Sequence, residues 1–190
     1  HFEVMLNKLQ FQNSVTCSHA LRILGGCLVF LIGFPTWLIA DVRLPKVFSD
    51  HMVLQQDLPI PVWGWAEAGE TIEVTLGTEK VSAKASSDGK WMVRLAARKT
   101  SAEPQLLRVQ GKNVVEFQDV LIGEVWVCSG QSNMEFGLKR AHNADSEIPK
   151  ANHPLLRLFT VPRTATTMAM EDVSPAPKAH PLMSSWQVCS

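Results

Sequence analysis

Between residues 70 and 118 apolar and polar side chains alternate with a period of two, and few architectures accommodate that pattern. ETIEVTL (70–76) sets Ile72, Val74 and Leu76 against Glu73 and Thr75, and VSAKA (81–85) alternates again. WMVRL (91–95) places Trp91, Val93 and Leu95 on one side, after the hairpin turn signal Asp88-Gly89. LLRVQ (106–110) and VVEFQ (114–118), separated by Gly111-Lys112-Asn113, form a further pair. Successive strand side chains point to opposite faces, so the pattern belongs to antiparallel sheets with one face buried and one wet. Pro45, Pro59 and Pro61 stand beside strand ends, where a missing backbone donor costs least. Roughly five to seven such strands in about eighty residues predict an antiparallel β-sandwich over 41–120.

At Leu121 the pattern changes. LIGEVWVC (121–128) is nearly all apolar without clean alternation, which predicts a strand buried on both faces of a parallel sheet. The turn SGQ follows, and SNMEFGLKRAHNA (132–144) reads as a helix opened by an S-x-x-E capping box of Ser132 and Glu135. LLRLFTV (155–161) reads as a second buried strand, 162–185 as a long loop, and WQVC (186–189) as one more strand. Residues 121–190 are thus expected to be the first part of an α/β domain. Two or three strands and one helix do not cover both faces of a doubly wound sheet. The native chain is therefore expected to continue past Ser190 or to borrow a partner.

Residues 1–40 form a separate segment. Lys8 and Arg22 precede ILGGCLVFLIGFPTWLIA (23–40), which carries no charge, and Ala40 stands before Asp41. This is the layout of an export signal, and it predicts a periplasmic or secreted protein beginning near Asp41. A retained membrane anchor is the alternative, because the run nearly reaches the length of a bilayer span. Gly33, Pro35 and Thr36 interrupt it and favour cleavage. Membrane contact is expected only through 23–40, if they are kept. Over the whole chain 18 acidic residues balance 18 basic ones, and no basic cluster stands out after the N-terminus, which argues against nucleic acid as the main partner. Of the cysteines, Cys128 and Cys189 would remain after cleavage, either paired or as buried small apolar residues. No C-x-x-C or His-rich spacing occurs, so no metal is expected.

Ser132 has two readings. A strand, a tight turn and a serine at a helix start can hold a nucleophile exposed at a sheet edge, near free backbone N–H groups. The capping box explains the same serine without chemistry, and on geometry alone it is the simpler account. G-x-S-x-G is not matched, and Ser129, before the turn, reads as structural. His142 lies ten residues on and, along one helix, about 15 Å away, beyond the reach of a general base. His51 and His153 have no carboxylate that sequence can assign to them, and His180 falls in the long loop.

Longer motifs bear on that choice. GEVWVCSGQSNM (123–134) resembles the first sequence block of the sialate O-acetylesterase-like branch of the SGNH/GDSL hydrolases. LPKVFSDHMVLQQDLPIPVWGWAEAGETIEV (44–74) is similar to the start of the bacterial members, which open with a β-sandwich. SSDGKWMVRL (86–95) and HPLLRLFTV (153–161) fit as well, so the resemblance spans nearly all of 43–190. It implies a flavodoxin-like α/β domain after the sandwich, with Ser132 as nucleophile and its N–H as an oxyanion donor. Gln131 is implied to shape the oxyanion pocket, and Asn133 and Met134 to serve turn and packing. The implied activity is an exported carbohydrate O-acetylesterase that needs no cofactor and acts on O-acetylated sugars. The family's further Gly donor, its Gly-Glu-Ser-Asn-like block and its Asp-x-x-His pair do not occur in 1–190, so this chain alone is expected to be inactive. A noncatalytic carbohydrate-binding module or pseudoenzyme is one alternative, and an acetyl esterase for plant or algal polysaccharide is another. Trp63, Trp65 and Trp91 offer sugar-stacking surfaces, although tryptophans in strands are more often core.

Overall fold

The computed structural model describes residues 41–190 apart from 179, 181 and 190. The export or anchor segment expected in 1–40 lies outside the described residues. The strands are β1 (Val53–Gln55), β2 (Ile60–Trp65), β3 (Thr71–Leu76), β4 (Glu79–Lys84), β5 (Lys90–Leu95), β6 (Ser101–Gln110), β7 (Val114–Gly123), β8 (His153–Phe159) and β9 (Trp186–Cys189). A single α-helical turn among the described residues, α1, covers Ala144–Glu147. The chain is mostly strand. A curled five-stranded sheet has the order β1-β7-β6-β3-β4, mixed because β1 runs parallel to β7 while the other neighbours are antiparallel. Two antiparallel ribbons, β2–β5 and β8–β9, complete the set.

The alternation explains where the core sits. Ile72, Val74 and Leu76 of β3 and Leu107 and Val109 of β6 turn inward and are fully buried. Ile60 and Val62 of β2 and Trp91, Val93 and Leu95 of β5 meet them in the same hydrophobic cluster. The five-stranded sheet and the β2–β5 ribbon therefore share one core, closed by Val42, Phe48 and Met52 from the irregular entry segment. Burying each such aliphatic side chain contributes about 1.5–3 kcal/mol, which is what holds the two sheets together.

The Asp88-Gly89 turn forms, with Gly89 at φ +77° donating its N–H to the Ser86 carbonyl at 2.9 Å. It does not make a hairpin. β4 pairs with β3 and β5 with β2, so the turn carries the chain from one sheet to the other. Both strands present an apolar face to one core, and period two records only that face, never the identity of the neighbouring strand. Pro61 lies inside β2, in a ribbon with few strand neighbours. Pro104 lies in β6 where its register with β7 shifts, between Ser101 and Gln105, and there a missing N–H breaks no regular ladder.

Beyond β7 the expectations need correction. The strand expected over 121–128 ends at Gly123, the last residue of β7. Residues 124–130 form no strand, and Trp126 and Val127 are 81% and 91% exposed. A run apolar on both faces becomes a buried strand only where a sheet receives it, and no described strand pairs with it here. The helix expected over 132–144 is replaced by 3-10 turns at Ser132–Glu135 and Leu138–Arg140, followed by α1 and a further 3-10 turn at Ile148–Lys150. Gly137 falls between the first two turns, and Met134, Phe136 and Leu138 are exposed. An isolated helix this short is marginal without an apolar face to pack. β8 does form from LLRLFTV, but it pairs antiparallel with β9, and Leu155, Leu156 and Leu158 face outward.

Candidate functional site

Ser132 opens the first 3-10 turn and is exposed. Gln131 before it has extended backbone, φ −91° and ψ −158°, and its carbonyl accepts the Met134 N–H at 2.9 Å. The Asn133 carbonyl accepts the Phe136 N–H at 3.3 Å. A side chain at Gly130 would meet Met134 Cγ at 3.1 Å, so the methionine folds back over the glycine and closes the turn. Gln131 and Ser132 thus stand side by side on an exposed loop that projects beyond the strand core.

The capping box does not form as expected. Gln131 occupies the cap position, no side chain caps the turn, and the Ser132 hydroxyl makes no hydrogen bond among the described residues. The Glu135 side chain lies outside the described residues. A four-residue 3-10 turn is closed by its own i to i+3 bonds and gives a capping hydroxyl little to do. Ser132 is exposed, and no described side chain hydrogen-bonds to its hydroxyl.

No histidine within the described residues hydrogen-bonds to Ser132. His142, His153 and His180 are exposed, and His51 is engaged elsewhere. His51 Nδ1 lies 2.7 Å from Asp119 Oδ2, and Arg157 clamps the same carboxylate through Nη1 at 2.6 Å and Nη2 at 3.3 Å. The Arg157 hydrogen bonds hold the Asp119 carboxyl below its ordinary range; His51 adds to this, while burial opposes it. The corner is stitched further. Asp50 Oδ1 accepts the Gln118 N–H at 2.7 Å, and the His51 N–H donates to the Gln118 carbonyl at 3.0 Å. His51 and Asp119 both have positive φ, 66° and 53°, a conformation that Asp and His tolerate better than most residues. Sequence reasoning found no carboxylate for His51. The partner is 68 positions away, and its only local trace is an acidic residue interrupting the apolar run of β7.

This cluster joins β7, which leads into the Ser132 loop, to β8. Trp186 of β9 adds a second tie, its indole N–H donating to the Val47 carbonyl at 2.8 Å while its ring packs at 5.5 Å on Phe159. Between them lies a cavity of about 650 Å³ whose lining includes Glu124, Trp126, Cys128, Leu155 and Arg157. Ser132 is not part of that lining. Cys128 and Cys189 are both free thiols; Cys128 is exposed, against the expectation of burial, and Cys189 Sγ lies 3.5 Å from the Ala151 carbonyl. Among the described residues no three His, Cys, Asp or Glu side chains converge as metal ligands would.

No protein-family model matches the chain. It is 33% identical over 144 residues to the sialate O-acetylesterase of Homo sapiens, covering 69% of this chain and 27% of that protein. The Mus musculus sialate O-acetylesterase is 31% identical over 144 residues, covering 70% of this chain and 27% of its own. Among solved structures, a carbohydrate acetylesterase from Xanthomonas citri superposes with a TM-score of 0.72 at 33% identity, covering 79% of this chain and 33% of that one. The chain therefore spans about a quarter of the length of the curated relatives it matches.

Proposed function

The chain is sialate O-acetylesterase-like, and on that premise we propose that it supplies the serine nucleophile of an exported esterase that removes acetyl groups from O-acetylated carbohydrate. The observation that carries this reading is the exposed Ser132 hydroxyl, engaged in no cap, in a sequence 33% identical to proteins described as esterases. Residues 41–120 act as a β-sandwich that supports the site, and 121–190 begin an SGNH-type α/β domain.

In the proposed reaction Ser132 Oγ attacks the acetyl carbonyl carbon as its proton passes to a histidine base supplied from outside 1–190. The Ser132 N–H and the pocket beside Gln131 hold the oxyanion of the tetrahedral intermediate. Collapse breaks the bond to the sugar oxygen, which takes the proton back from histidine. Water then gives a proton to the same histidine and attacks the acetyl-serine carbonyl; the bond to Ser132 Oγ breaks, Oγ takes that proton, and the acetyl group departs as acetate. Nothing in this sequence of steps calls for a cofactor.

A second reading, a noncatalytic carbohydrate-binding module, has one observation in its favour: no described histidine reaches Ser132. One experiment separates the two. Acetate release from an O-acetylated sugar is measured for a protein of the relatives' length carrying this sequence, with and without Ser132→Ala. Loss of a nucleophile lowers turnover by several orders of magnitude, on the order of 10³ or more. A variant as active as wild type removes Ser132 from the chemistry.

A further inference from the structure

On the side of the molecule formed by the β2–β5 ribbon lies a second cleft, of about 440 Å³. Strand alternation turns Val62 of β2 and Trp91 and Val93 of β5 into the core, so Trp63 and Trp65 point outward beside one another. In the ribbon register Trp63 stands opposite Met92 and Trp65 opposite Lys90. Both indoles are half-buried, while Met92 remains 47% exposed. Each indole is held in place. Trp63 packs edge-on against Phe48 at 4.8 Å, and the Arg43 guanidinium covers Trp65 at 4.3 Å.

The rim of the cleft is polar. Lys90 Nζ pairs with Glu171 Oε1 at 2.5 Å, and that carboxylate lines the same cleft as Trp65. Glu171 comes from the long 162–185 loop, which is tied down next to it. Asp172 accepts the Lys46 N–H at 2.9 Å and the Lys46 ammonium at 3.3 Å. The wall of the cleft is therefore fixed on the strand core even though the loop carrying it has no regular structure.

Two half-buried indoles fixed side by side, with an ammonium and a carboxylate at their margin, match one ligand chemistry closely. A pyranose ring has an apolar C–H face that packs on an indole and equatorial hydroxyls that both donate and accept. The size of the cleft and its few convergent polar groups on an aromatic floor are those of a small-ligand site. Both members of the Lys90–Glu171 pair stay more than half exposed, so sugar hydroxyls can join them without breaking a buried contact. We propose that the outer face of the β2–β5 ribbon is a carbohydrate subsite, separate from Ser132, that takes a pyranose residue of a glycan chain on Trp63 and Trp65 with Lys90 and Glu171 at its hydroxyls. The proposal rests on the carbohydrate part of the function proposed above.

The test is saturation-transfer NMR on the 190-residue chain with xylohexaose and with sialyllactose as two probes. Saturation of at least one probe is expected, unchanged in Ser132→Ala and weakened about tenfold or more by Trp65→Ala. Glu171→Gln, a change at an exposed carboxylate that leaves the core untouched, is expected to weaken binding several-fold and guards against a misfolded Trp65 variant. Transfer to neither probe overturns the subsite. So does binding that survives Trp65→Ala and Glu171→Gln but is lost in Trp126→Ala, which would place the sugar in the other cavity. Hydrolysis of 4-nitrophenyl acetate by a protein of the relatives' length reads the serine chemistry independently of glycan. Intact hydrolysis without glycan binding would remove the subsite alone, and glycan binding without hydrolysis would remove the esterase alone.

Discussion

Asp119 is the residue whose chemistry most exceeds its sequence signal. It neutralises Arg157, whose side chain is only 5% exposed, and engages His51 with the same carboxylate. Asp119→Asn keeps the shape and tolerates the positive φ but leaves a buried guanidinium without its counter-charge. The expected loss is on the order of 3 kcal/mol, toward the low end for a broken buried pair because Asp119 is itself 26% exposed. Urea unfolding measures it; a loss below about 0.5 kcal/mol would reduce the cluster to an ordinary surface pair. The pH dependence has a defined sign. Asp119 titrates lower in the folded protein than in the unfolded chain, so its contribution is complete above the ordinary carboxylate value and is lost as pH falls through the folded one. The gap between wild type and Asp119→Asn is therefore expected to narrow as pH falls below about 4. Ser132 and Gln131 could be singled out as candidates from sequence because they sit together in one short motif. Asp119 was not, because its partners come from 68 positions before it and 38 after it, and no local pattern encodes such a meeting.

Among the elements, β3, β5 and the second half of β6 were readable because each buries one face in the shared core, and burial of one face is what period two reports. Leu107 has no exposed surface, and Leu107→Ala is expected to cost about 2–5 kcal/mol, read as a lowered denaturation midpoint. Gly64 makes a complementary point. A Cβ there would lie 2.2 Å from the Arg43 carbonyl oxygen and 3.1 Å from the Trp91 ring. Gly64→Ala should thus destabilise by about 1–3 kcal/mol or more through forced separation of β2 from the entry segment, whereas Gly137→Ala, with open space around it, serves as a neutral control. The sheet exchange at Asp88-Gly89 stayed illegible, because a turn signal names a reversal and not the strands on either side. The 121–128 strand and the 132–144 helix failed for a related reason. Apolar composition records a tendency to be buried, and whether it is met depends on the surface offered.

At the scale of the whole molecule, a well-packed strand core carries a segment, 124–161, whose apolar side chains largely face outward. Trp126, 81% exposed, is the most accessible tryptophan among the described residues, and Trp126→Phe is expected to remove the most acrylamide-quenchable and red-shifted part of the emission that those residues contribute. An unchanged quenching curve would mean that Trp126 is covered in solution. Exposed apolar surface lies beside a loop whose serine no described side chain hydrogen-bonds, and on the proposed reading the catalytic partners of Ser132 come from outside 1–190. The central claim is that Ser132 is the nucleophile, and a fluorophosphonate probe tests it directly, because it reacts only with a serine activated by a positioned base. Mass spectrometry of a labelled protein of the relatives' length is expected to find the adduct on Ser132, with acetate release falling in step with labelling and no adduct on the 190-residue chain alone. An active esterase that carries the adduct on any other residue, or remains active with Ser132 fully labelled, would contradict the account.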